Sequence, residues 1–112
     1  MSLILGGYTF NGLESISKYV KPEERGLYGI FSLRNPEKSV ADYSVLFMEE
    51  IEKIDEIPDF PQGHPKYSCW VEKAGGEHNL YIGYLYTPGT IPRQIEALKR
   101  SLIHKYNPMC NK

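Results

Sequence analysis

The chain has 112 residues, 41% of them hydrophobic and 24% charged, with a formal net charge of −1. That length is one domain, spanning 1–112 and able to bury roughly two-thirds of its unfolded surface, and the composition excludes long disorder and collagen-like repeats. No run approaches the roughly 18 apolar residues that cross a bilayer, so no membrane association is expected.

In chain order, Asn11 to Tyr19 is predicted as a short helix: Leu13, Ile16 and Val20 are spaced by three and four, Asn11 with Glu14 resembles a capping box, and Pro22 stops it. Gly26 to Leu33 (GLYGIFSL) lacks a helical period, is rich in β-formers and is predicted as a strand. A long hairpin loop containing Pro36 leads to a second strand, Tyr43 to Met48. Glu49 to Gln62 carries Pro58 and Pro61 and reads as mostly irregular. Pro65 in a first turn, then Tyr67, Trp70, Val71 and Ala74 at helical spacing, and Gly75-Gly76 as a stop, predict a second helix. Asn79 to Tyr86 is the third strand. Thr90 is the expected cap of a last helix with Pro92 in its first turn and Ile91, Ile95, Leu98, Leu102 and Tyr106 as its buried stripe. The expectation is a small α+β domain in the order α-β-β-α-β-α, a three-stranded sheet flanked by helices.

Charge is distributed unevenly. Glu49, Glu50, Glu52, Asp55, Glu56 and Asp59 face Lys53 alone, whereas Arg93, Lys99, Arg100, Lys105 and Lys112 face Glu96 alone. A basic helix can neutralise phosphates and release their counterions, though a solvated helix face has the same composition. Cys69 and Cys110 show no C-x-x-C spacing and read as two reduced thiols. With no basic segment followed by an apolar stretch at the N-terminus, the expected compartment is the cytoplasm. No phosphate loop, nucleophile elbow or zinc-binding histidine pair is present, and His64, His78 and His104 lie in no ligand pattern with one another or with cysteine.

The closing helix is more specific. Glu96, Leu102-Ile103, Tyr106, Pro108 and Asn111 follow the pattern of a helix glutamate and then L-I-x-x-Y-x-P-x-x-N. Together with Gly26-Leu27-Tyr28 at the front and His64-Pro65-Lys66-Tyr67 and Trp70 in the middle, they make most of the chain resemble the GIY-YIG nuclease superfamily. That resemblance implies a metal-assisted phosphodiester hydrolase: a helix glutamate holds the metal, two strand tyrosines position and activate water, and an arginine balances phosphate charge. Carried over, Tyr28 matches the first tyrosine, Glu96 the ligand of a weakly held magnesium or manganese ion, and His64 a histidine that some members use as a base.

The second tyrosine and the arginine are not found. Phe47 stands where the tyrosine is expected and has no hydroxyl, Glu49 stands where a glycine is expected, and no arginine occurs between Asn35 and Pro92. Lys53 is a poor substitute, because an ammonium does not clamp phosphate oxygens bidentately. The resemblance therefore implies a catalytically degenerate module that binds DNA or RNA, with Lys99, Arg100 and Lys105 on phosphates and Tyr28 and Glu96 lining the former cleft. One alternative is a protein-interaction module using the acidic Glu49–Asp59 stretch with Tyr84 and Tyr86 as anchors. Another is a weak phosphodiesterase with His64 as base in a rearranged site.

Overall fold

The computed structural model describes residues 2–34 and 43–112. The run from Gly26 to Leu33, apolar but for Ser32, is buried at every position. Such a run suits a strand with neighbours on both sides and cover on both faces, and this strand has all of these. The elements are β1 (Leu3–Leu5), β2 (Tyr8–Ser15), β3 (Gly26–Leu33), β4 (Tyr43–Glu50), α1 (Tyr67–Ala74), β5 (Leu80–Tyr86) and α2 (Pro92–Tyr106). Short 3-10 turns at Ile16–Lys18, Ile51–Glu56, Glu77–Asn79 and Met109–Asn111 join or close them. The expected hairpin loop containing Pro36 falls outside the described residues.

The α+β class holds, but the sheet has five strands, not three, in the order β1-β2-β5-β3-β4, with every pairing antiparallel. Of the two additional strands, β1 and the start of β2 lie in residues 3–10, for which no element was expected, and the end of β2 enters the segment expected to be helical. Asn11–Tyr19 is the end of β2 and a 3-10 turn, and Val20 is 73% exposed. The spacing misleads because Gly12, at φ 66°, lies within an irregularity between Asn11 and Glu14 in the pairing with β5. An extra residue in a strand shifts its alternation, so Phe10 and Leu13 are buried three apart, as on a helix. β1 and β2 are joined by Gly6 and Gly7 at φ 58° and 86°, the left-handed geometry of a tight hairpin.

The remaining elements follow the sequence more closely. β4 runs two residues beyond Met48, and Ile51 and Ile54 of the following 3-10 helix are buried. α1 ends on Gly75 in the left-handed conformation, whereas Pro65 precedes the helix. Ile91, not Thr90, occupies the N-cap of α2, with no side-chain cap bond, and Pro92 opens the helix. Ile95 and Leu102 form the buried seam of α2, while Ile91 is 48% exposed.

Two cores lie on opposite faces of the sheet. On one, Tyr28, Ile30, Phe47, Ile82 and Tyr84 pack under Trp70 and Ala74 of α1, Ile51, Ile54 and Cys110. On the other, Leu27, Phe31, Leu33 and Met48 pack against Ile95 and Leu102 of α2, and Leu3, Leu5, Phe10 and Leu13 close over the same cluster. The β1–β2 hairpin thus curls over α2. Cys69 on α1 and Cys110 in the last turn are joined as a disulfide with Cα atoms 5.9 Å apart, which corrects the reading of two reduced thiols. The 41-residue separation gave no sign of it, because the fold alone brings the two together. Among the described residues, no helix is long and apolar enough to cross a membrane.

Candidate functional site

Tyr28 sits on β3 opposite Glu49 of β4 and Tyr84 of β5. It is almost fully buried, its ring 6.1 Å from Phe47 and 5.4 Å from Phe60. Burial, reinforced by Glu49 and Tyr19, pushes its hydroxyl far above the ordinary tyrosine range, so it stays protonated and can act only as a neutral hydrogen-bonding group.

His64 belongs to the same aromatic box, 5.0 Å from Phe47 and 4.7 Å from Trp70 between ring centroids. Its Nδ1 accepts the Lys66 backbone N–H at 2.9 Å, which fixes the turn leading into α1. Desolvation lowers its pKa against the opposing pull of Glu49, and Lys66 lowers it further. Phe47, where the resemblance leads one to expect a tyrosine, packs beside the Tyr28 and His64 rings and is itself buried.

Glu49 connects this box to the other side of the sheet. Lys99 reaches from α2 to the Glu49 carboxylate at 2.9 Å and to Glu50 at 3.3 Å, with only 17% of its side chain exposed. Desolvation acts to lower the Lys99 pKa, but the two carboxylates outweigh it and hold the ammonium above its ordinary value. Lys99 is therefore a structural cation, occupied by two acids.

Glu96 lies elsewhere. It is on α2, against the sheet face opposite Tyr28, where it accepts from Arg100 at 2.8 Å. It lines an open cleft with Glu50, Glu52, Lys53, Arg93 and Lys99. The structure thus brings Tyr28 and His64 together through Phe47 and Phe60 and gives Glu96 separate company. Among the described residues, no three His, Cys, Asp or Glu side chains converge as a metal site. One carboxylate already paired with arginine does not supply the oxygen set of a magnesium or manganese centre, so the residues present do not fit a resident metal.

The exposed side of α2 carries Arg93, Ala97, Arg100 and His104, four residues spaced by four, three and four. This spacing puts them on one stripe. Arg93, Glu96, Ala97 and Arg100 line a shallow depression there. Lys105, also exposed, points about 120° away from the stripe and lies along Gly6 of the β1–β2 turn. Reading the helix as a charge total missed Arg93 and His104 as stripe members, although a helical wheel of the same residues would have found them. Glu49 enters the sequence only as a departure from an expected glycine and as part of the acidic stretch, and no spacing signals its pairing with Lys99.

The acidic stretch is largely neutralised. Besides Lys99 with Glu49 and Glu50, Arg25 pairs with Glu52 at 2.8 Å, Lys53 with Glu56 at 3.4 Å and Lys21 with Asp55. Tyr84 is in the core, so of the two tyrosines considered as anchors only Tyr86, stacked beside it, is exposed. No family model, curated protein or solved structure matches the chain.

Proposed function

We propose that the chain is a divergent, catalytically degenerate relative of the GIY-YIG nucleases that binds DNA or RNA through the outer face of α2. The observation that carries this reading is the stripe of Arg93, Arg100 and His104 around the small Ala97, which lets a phosphate backbone approach the helix closely. The Arg100–Glu96 pair does not oppose it, since an exposed i, i+4 pair is weak and a phosphate can displace the carboxylate. The pairing of five of the six acids between Glu49 and Asp59 reduces the repulsion that this stretch would otherwise exert.

Degeneracy is supported by the residues themselves. Phe47 supplies no hydroxyl, Lys53 and Lys99 are paired with acids, and the Tyr28 hydroxyl is held protonated. A missing charge-stabilising group costs about a hundredfold or more in rate. The cytoplasm, where RNA is within reach, is the compartment this reading favours.

The test is binding of labelled single-stranded RNA and duplex DNA at about 50 and about 200 mM salt, where phosphate contacts declare themselves as a steep loss of affinity. The double variant R93A/R100A is expected to bind more weakly and to lower the salt slope by roughly two. An unchanged slope, or no binding at the lower salt, overturns the reading. Magnesium-dependent nicking by the wild type above an Glu96→Ala control would overturn the degeneracy.

A further inference from the structure

We propose that the Cys69–Cys110 disulfide is a reversible redox lock on the C-terminal turn, and that through Asn111 it keeps the free edge of β4 closed. Among the described residues β4 is the last strand of the sheet, and an edge strand presents unpaired backbone groups to any chain that can pair with it. Here the Asn111 side chain takes the place of a neighbouring strand. Its Oδ1 accepts the Met48 backbone N–H, and its Nδ2 donates to the Met48 carbonyl, both at 2.9 Å.

The turn that carries Asn111 packs against β4 and α1 but has few polar holds besides the clamp. Pro108 and Cys110 are buried, and Lys66 donates to the Lys112 carbonyl at 3.0 Å in an exposed bond. The covalent tie from Cys110 to α1 is adjacent to the clamp in sequence, so it sets where Asn111 can be. α1 does not need that tie to stay in place, because Trp70 and Ala74 are fully buried under it. Loss of the disulfide therefore loosens the turn rather than the helix.

The chemistry is thiol–disulfide exchange with a cellular dithiol. Cys69 is half-buried and Cys110 almost wholly buried, so the incoming thiolate attacks the Cys69 sulfur and Cys110 leaves as thiolate. The second thiol of the reductant then attacks the mixed disulfide and releases Cys69. Two electrons and two protons end on the cysteines, and the dithiol becomes a disulfide. Cys110 is then free of α1, and Asn111 can leave Met48.

Amide hydrogen exchange on the intact protein tests this, comparing the oxidised form, the form reduced with dithiothreitol and the form reoxidised with oxidised glutathione. Reduction is expected to speed exchange at Met48 at least tenfold more than at the amides pairing β3 with β5, which report only the general loss of stability, and to be reversed by reoxidation. Asn111→Ala, with the disulfide intact, is expected to give the same acceleration at Met48. Unchanged exchange at Met48 in either experiment overturns the proposal. So does an acceleration across β3 and β5 on reduction that equals the one at Met48, which would make the disulfide a staple for the whole domain and nothing more, or failure to recover on reoxidation.

Discussion

His64 shows how a single residue can carry two readings that the environment then separates. Its Nδ1 accepts a backbone N–H, so protonation at that nitrogen breaks the bond, and burial disfavours the charged ring as well. The native pKa is below the ordinary 6.5, so in the window just under 6.5 the unfolded chain binds the proton that native His64 refuses. Stability should therefore fall as pH is lowered through that window. His64→Asn retains an acceptor and cannot titrate, and urea midpoints measured across this range should fall less steeply in the variant. An identical slope would assign the acid limb to other groups. Gly26 is a second case. At φ 149°, with the Leu85 carbonyl where a Cβ would stand, it admits no side chain. Gly26→Ala should cost about 2 kcal/mol or more, read as a shifted urea midpoint. The glycine that opens the strand motif thus has a steric role that stands whatever the domain binds.

At the level of elements, α2 illustrates how one helix divides its work. Ile95 and Leu102 hold the core, Lys99 holds the edge of β4, and Arg93, Arg100 and His104 face solvent. Lys99 and Arg100 are adjacent in sequence, so charge counting treats them alike, yet their substitutions should differ in kind. Lys99→Met leaves Glu49 and Glu50 without their cation and should cost about 1–3 kcal/mol in chemical denaturation, with the salt slope of nucleic-acid binding unaltered. Arg100→Ala should do the reverse. If Lys99→Met instead lowers the salt slope, Lys99 is reaching phosphate rather than Glu49. β3, β4, α1, β5 and α2 were legible because each carries a sustained pattern bounded by glycine, proline or polar residues. β2 was not, because the irregularity around Gly12 converts a two-residue period into a three-residue one. The Gly6-Gly7 hairpin signal was present in the sequence and passed over. The aromatic grouping was not legible: Tyr28 and His64 share one box by way of Phe60 and Phe47, an arrangement of three chain segments that spacing cannot express.

For the whole molecule, the disulfide adds to a fold whose sheet is otherwise held by burial and strand pairing. Its loop spans 41 residues, and chain-entropy reasoning for a loop of that size gives about 2–4 kcal/mol. Paired denaturation curves with and without dithiothreitol should show that loss as a lower midpoint with a retained cooperative transition. A reduced protein with no transition would mean that the two cores cannot support the domain without the bond. The charge pattern also belongs at this scale. The acids between Glu49 and Asp59 draw their partners from the segment after β2, from within the stretch and from α2. A chain that looks polarised in sequence is therefore locally neutral along this side in space.

The curl of the β1–β2 hairpin over α2 means that residues 3–13 and 95–102 complete the same core. During synthesis, Leu27, Phe31, Leu33 and Met48 emerge long before the helix that covers them, and the hairpin that grips that helix emerges earlier still. Nothing before Ile95 can seal that face. The growing chain must carry an open apolar surface until α2 has left the ribosome, which makes this half of the molecule the one that most depends on early shielding by a chaperone.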